Sequence, residues 1–222
     1  MLLYSGPLSL FSRKVEIALN EKGLPFERVM VPFTQAAGYA PKHPAVLAAN
    51  PKAQVPVLVD GDLTLFDSTL IFEYLEDAYP VPPLYPAGAA ARARCRRLEL
   101  TADEILLPPL VKLMYRTTPP DPDPERQRAR EADGARAEET LRAHYAGLER
   151  ELAGRDYFCG DVSVADIALF MTLLFVLRLA GPPFTGHLVA WYARMGQRAA
   201  VARAAAEIAA EDRRLSPPVA QP

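Results

Sequence analysis

Val55-Pro56-Val57-Leu58-Val59-Asp60-Gly61-Asp62-Leu63-Thr64-Leu65-Phe66-Asp67-Ser68-Thr69-Leu70-Ile71-Phe72-Glu73-Tyr74-Leu75 is the stretch whose reading decides the fold. Two apolar runs, Val55 to Val59 and Leu63 to Phe66, flank Asp60-Gly61, a turn dipeptide whose glycine tolerates the positive φ of a tight hairpin. From Ser68 to Ala78 the period changes, and Leu70, Ile71, Tyr74 and Leu75 recur at helical spacing. Toward the N-terminus, Leu2-Leu3-Tyr4 reads as a strand ended by Ser5-Gly6-Pro7. Phe11 to Lys22 reads as a helix through Val15, Ala18 and Leu19, stopped by Gly23. Phe26 to Val31 is a second strand, and Pro32 to His43 a loop. The predicted order is β-α-β-(α)-β-β-α, a parallel unit followed by a hairpin and a closing helix.

Beyond Tyr79 the pattern changes. Pro80, Pro82, Pro83 and Pro86 form a stiff connection that no central strand or helix interior accommodates. The remainder of the chain reads as helix at about 89–116, 125–153, 163–179, 187–197 and 199–213, with the prolines between Thr117 and Pro124 separating the first two. Three segments are expected: an α/β domain over 1–78, a Pro-rich linker over 79–88 and an all-helical bundle domain over 89–222. Pro108-Pro109 is expected to kink the first long helix. Ser163 with Asp166 three residues on is a capping box, and Val162 and Ile167 stand where a hydrophobic staple closes. Asp166 is therefore read as a structural carboxylate and not a catalytic acid.

The bulk properties narrow the function. A formal charge of −2, with arginines interleaved among glutamates, gives no basic surface for nucleic acid or anionic lipid. The longest apolar stretch, Ala165 to Leu177, is too short to span a bilayer. Met1 to Ser5 has neither the basic start nor the apolar run of a secretory signal, so a cytoplasmic protein is expected. Cys95 and Cys159 are far apart in sequence and fit no metal or redox spacing, so no metal site, disulfide framework or dithiol chemistry is expected.

Several pieces together resemble the cytosolic glutathione transferase superfamily along nearly the whole chain. Asn50-Pro51-Lys52-Ala53-Gln54-Val55-Pro56-Val57-Leu58 is similar to the family's "NP-x-x-x-VP-x-L" segment, Asp67-Ser68 to its acidic-Ser helix start, and the capping box to that of its sixth helix. The resemblance implies a thioredoxin-like first domain that binds glutathione and a helical second domain. Leu3-Tyr4-Ser5-Gly6-Pro7 and the run Phe72 to Leu84 also resemble the stringent starvation proteins, transferase-fold proteins that associate with RNA polymerase and are not known for glutathione chemistry. Their Pro-His-Pro surface motif falls on Pro80-Val81-Pro82, where Val81 replaces the histidine. Ser9-Leu10-Phe11-Ser12 keeps the Ser-x-x-Ser pattern of zeta-type transferases, which places Ser9 on their catalytic serine and admits a glutathione-dependent isomerase as a further alternative.

The implied site can be weighed as chemistry. Glutathione presents two carboxylates, an amine and a thiol. In the family the bond before the residue matching Pro56 is cis and turns the main chain of Val55 toward the cysteinyl part; Gln54 is a further polar contact. Ser68 offers a hydroxyl and a helix N-terminus to the γ-glutamyl carboxylate, and Asp67 pairs with the ammonium. Lys42 and Lys52 are weaker candidates for the glycyl carboxylate. The thiolate needs a donor: Ser9 is the first choice, with Ser12 and Tyr4 as alternatives. Ser5 is read as a turn former. The second substrate is expected to be a small hydrophobic electrophile held near Leu107, Leu110, Met114 and Tyr115, and detoxification is the expected role. The family works as a homodimer, through positions that correspond here to Phe66–Phe72 and to Arg92, Arg97 and Thr101.

Overall fold

The computed structural model describes residues 1–216; residues 217–222, the end of the expected helical domain, lie outside the described residues. The chain divides into two compact units, Met1–Tyr85 with Arg198–Leu215, and Pro86–Gln197.

The first unit is built on a four-stranded sheet of β1 (Leu2–Ser5), β2 (Glu27–Met30), β3 (Val57–Asp60) and β4 (Leu63–Phe66) in the order β2-β1-β3-β4. β1 runs parallel to β2, with Leu3 opposite Arg28, and antiparallel to β3, with Leu3 opposite Leu58. β3 and β4 form the hairpin around Gly61, whose φ is 57°. Helices α1 (Leu10–Glu21), α2 (Pro44–Ala49) and α3 (Ser68–Ala78) complete the predicted order. Gly23, at φ 65°, ends α1 in the left-handed region that lets the Leu24 N–H return to the Leu19 carbonyl.

Beneath the sheet residues lies an ionic cluster. Glu16 on α1 is almost fully buried and accepts from Arg13 at 2.8 Å, Arg28 at 2.9 Å and the Ser5 hydroxyl. The last helix, α9 (Ala199–Leu215), packs on α1 and supplies Glu207, which accepts from Arg13 at 2.8 Å and from Arg28 at 2.5 Å. Two carboxylates thus neutralise two guanidiniums, one of which, Arg13, has no exposed surface. A buried charge persists only when paired in this way. A second buried pair, Lys22–Glu76 at 2.8 Å, ties α1 to α3. Lys22 also donates to the carbonyls of Tyr79 and Pro82, and Glu76 accepts from the N–H of Leu84 and Tyr85, so the proline-rich segment is hydrogen-bonded onto this unit.

The second unit comprises α4 (Ala89–Leu100), α5 (Leu107–Lys112), α6 (Pro124–Leu152), α7 (Val164–Arg178) and α8 (His187–Gly196). Where one helix with a kink at Pro108-Pro109 was expected, three pieces form: α4, a π-helical turn over Thr101–Leu106, and α5. Prolines 108 and 109 have no N–H to return to the preceding turn, and the wider turn ahead of them absorbs the lost i→i−4 bonds. α7 is the buried axis of the unit, with the predicted capping box in place. No described helix is long and apolar enough to cross a membrane.

Candidate functional site

The β1–α1 loop presents Ser9 as the N-cap of α1. Its backbone is extended (φ −94°, ψ 106°), and its Oγ accepts from the Ser12 N–H at 3.2 Å and from the Ser12 hydroxyl at 3.0 Å. With two hydrogen bonds entering its oxygen, the Ser9 hydroxyl still has its own hydrogen to give. Ser12 is fully buried, which makes it a support for Ser9. Tyr4 lies on β1 and packs against the cluster of Val31, Val46 and Val57, its ring 5.1 Å from that of His43. Ser5 closes β1 and donates to Glu16. The Arg13 side chain reaches back to the Pro7 carbonyl at 3.4 Å, so the ionic cluster braces the loop that carries Ser9.

A second cluster of the candidates forms where α2, β3 and α3 meet. The Val55–Pro56 bond is cis. Asn50, almost fully buried, donates its side-chain amide to the Gln54 carbonyl at 2.7 Å and accepts from the Lys52 N–H at 2.9 Å, holding the turn ahead of Val55. Gln54 and Lys42 are exposed. Asp67 caps α3 by accepting from the Thr69 N–H at 3.1 Å, and its backbone sits at φ 74°, ψ 124°. A non-glycine residue at that φ is strained, and such strain gathers at ligand sites. Ser68 is buried at the first turn of α3. Lys52 lies 3.9 Å from the Asp67 carboxylate, both side chains being well exposed. Gln54, Val55 and Pro56 precede β3 and Asp67 and Ser68 follow β4, and because Val57 pairs with Phe66 all five lie at one end of that strand pair.

Two contributors escaped the sequence reading. Tyr39, in the stretch read only as loop, lays its hydroxyl 3.2 Å from the Leu8 N–H. A Cβ on Gly6 would stand 2.5 Å from the same hydroxyl, so this approach requires glycine at position 6. His43 caps α2 by accepting from the Ala45 N–H at 3.2 Å. The Gly6-Pro7 pair was the available signal for a close approach, but nothing in the sequence identified Tyr39 as the residue that makes it.

In the second unit, Leu110 is core and Met114 is half-exposed. Tyr115 packs on Gly134, where a Cβ would meet the ring at 2.8 Å.

Residues 3–83 match the family model of the glutathione S-transferase N-terminal domain, and residues 125–194 that of the glutathione S-transferase C-terminal domain. Glutathione S-transferase 3 of Zea mays is 33% identical over 220 residues, 93% of each chain. A stringent starvation protein A homolog of Coxiella burnetii is 44% identical over 100 residues, and that match spans 44% of this chain and 44% of the relative's length. A solved glutathione S-transferase of Methylobacterium radiotolerans, in complex with glutathione sulfonate, is 28% identical with a TM-score of 0.71, covering 92% of this chain and 93% of that one. The sheet order, the helical second unit and these matches agree: the chain belongs to the glutathione S-transferase superfamily.

Proposed function

We propose that the protein is a glutathione S-transferase in which Ser9 holds the glutathione thiol as a thiolate for attack on a small hydrophobic electrophile, and that it works as a cytoplasmic homodimer. The observation that carries this reading is the Ser9 hydroxyl, capped from behind by both Ser12 donors and left with its own hydrogen to give. A thiol of pKa about 8.5 is only a few per cent ionised at neutral pH. Lowering it by about two units takes roughly 2.7 kcal/mol of preference for the anion. One hydroxyl donor to a charged acceptor contributes about 1.5–3 kcal/mol, and the N-terminus of α1 about 0.3–1 kcal/mol. Serine is sufficient, and no protein base with a shifted pKa is required. Val55 would pair with the cysteinyl main chain, Ser68 with the γ-glutamyl carboxylate and Asp67 with the ammonium. The glutathione sulfonate bound by the Methylobacterium relative supports a glutathione-derived ligand for this fold.

The second reading, a non-catalytic regulator of the stringent starvation type that binds RNA polymerase, is favoured by the name of the Coxiella relative. Val81 weighs against it: the position is 80% exposed, so the surface is available, but it presents an aliphatic group where the motif has a histidine.

The test is the ultraviolet thiolate absorbance of glutathione titrated against pH in the presence of the protein. A saturable signal with an apparent pKa at or below about 7 is expected, and Ser9→Ala should return it toward the free value with turnover down by about tenfold or more. No thiolate signal at millimolar glutathione removes the enzyme reading and leaves the interaction protein.

A further inference from the structure

Pro7 and Leu8 share one peptide unit, and both ends of it are gripped. Its carbonyl oxygen accepts from Arg13 Nε and Nη2, each at 3.4 Å. Its N–H donates to the Tyr39 hydroxyl at 3.2 Å. A peptide unit is planar, so holding its oxygen and its N–H fixes its tilt. The following unit is held as well, because the Ser9 N–H returns to the Gly6 carbonyl at 3.2 Å. On the far side, the Ser9 carbonyl accepts from the Arg13 N–H at 3.0 Å as the first turn of α1 begins. The backbone on either side of Ser9 is therefore fixed, and with it the direction in which the Ser9 side chain leaves the chain.

Each grip has its own support. Tyr39 reaches Leu8 across 31 positions, over a glycine whose Cβ would stand 2.5 Å from the hydroxyl, and its ring packs on Phe33 with centroids 4.7 Å apart. Arg13 has no exposed surface and divides its planar fork. Nη1 serves Glu16 and Glu207 at 2.8 Å each, which leaves Nε and Nη2 for the Pro7 carbonyl.

We propose that Arg13 and Tyr39 are positioning residues for the Ser9 hydroxyl, and that Glu207, acting through Arg13, makes the last helix part of the same clamp. This role presupposes Ser9 as the thiolate donor. The clamp works by geometry and not by charge. Glu16 and Glu207 cancel the charges of Arg13 and Arg28, so the four groups together present no net charge to a thiolate. A hydroxyl donor, in contrast, weakens steeply as its hydrogen bond departs from linear, so a loop that wanders gives up part of the hold on the sulfur.

Two measurements on the full chain test the clamp: amide hydrogen exchange at Ser9 and Ser12 without ligand, and the pH titration of glutathione thiolate absorbance. Tyr39→Phe keeps the ring and removes one grip; Arg13→Lys keeps the charge but not the fork. Each should speed exchange at both amides by about threefold or more, with the amides of β3 unaltered. Each should raise the apparent pKa of bound glutathione by about half a unit and lower turnover about threefold, the half-saturation for glutathione staying put. Glu207→Ala separates geometry from charge. It leaves the cluster one positive charge in excess, whose field would lower the thiolate pKa, whereas a slackened Arg13 raises it; a rise is expected. Unchanged exchange in Tyr39→Phe overturns the proposal, and so does faster exchange with the thiolate pKa unmoved, or a fall of that pKa in Glu207→Ala. Faster exchange in the variants, with no thiolate signal from the wild-type chain, would leave the clamp standing and remove Ser9 as the donor.

Discussion

At the scale of the residue, Asp67 is the sharpest case, because its two roles separate by substitution. Its side chain caps α3 through the Thr69 N–H, and its backbone is held at φ 74°. Asparagine keeps the capping oxygen and tolerates the positive φ better than most residues, so Asp67→Asn removes only the charge. Alanine removes the cap as well, at about 0.5–2 kcal/mol. If the carboxylate pairs with the ammonium of glutathione, both variants raise the half-saturation for glutathione more than they lower turnover, and only Asp67→Ala lowers the melting temperature appreciably. Steady-state kinetics beside a melting curve read the two effects apart. An Asp67→Asn protein with unaltered half-saturation would reduce Asp67 to a helix cap.

At the scale of the element, α7 shows what a short motif specifies and where it stops. Ser163 and Asp166 were legible because a capping box is a local event, contained within four residues. The rest of Asp166's work was not legible. Its Oδ1 accepts from the Phe158 N–H at 3.0 Å and from Trp191 Nε1 at 2.9 Å, while Oδ2 accepts from Ser163. Burial raises the Asp166 pKa against these donors, which pull it down. Asp166→Asn is close to isosteric but must turn an NH2 toward one of the two donor pairs. It should cost about 2–4 kcal/mol, read as a lower urea midpoint with Trp191 emission as the probe. An unshifted midpoint would show that the four donors do not need a carboxylate. Similar limits explain the other elements. The Asp60-Gly61 hairpin and the proline break are written in neighbouring residues. The π-helical turn at Thr101–Leu106 depends on how Pro108 and Pro109 are accommodated. Tyr39's approach to Leu8 depends on chain segments that meet only after folding. Of the candidate residues, those in short local motifs, Asn50 among them, were readable, while Tyr39 reaches Leu8 across 31 positions from a loop whose path has no periodic signature.

At the scale of the whole molecule, the last helix is the least expected participant, since Glu207 meets Arg13 across 194 positions. Burial alone would raise the Glu207 carboxyl, but its hydrogen bonds and ion pairs with Arg28 and Arg13 outweigh this and hold it below its ordinary value of 4.5. Asp60 is lowered in the same sense, by the hydroxyls of Tyr79 and Tyr74 at 2.6 and 2.7 Å. A carboxyl with a depressed folded pKa binds fewer protons folded than unfolded, so its stabilisation is complete above the unfolded pKa and drains away as pH falls through the folded one. Asp166, raised by burial, acts in the opposite direction: its ionisation opposes folding as pH rises through its folded value. The overall stability profile mixes these signs, and Glu207→Gln isolates one of them. Glu207 is one-third exposed and Glu16 remains as a partner for both arginines, so the loss at neutral pH should be modest, about 1–2 kcal/mol. The gap between wild type and Glu207→Gln, measured by urea unfolding from neutral pH downward, should hold steady to about pH 5 and close below about pH 4. A gap that persists unchanged into that acid range would mean that Glu207 contributes through packing of α9 on α1 and not through its charge.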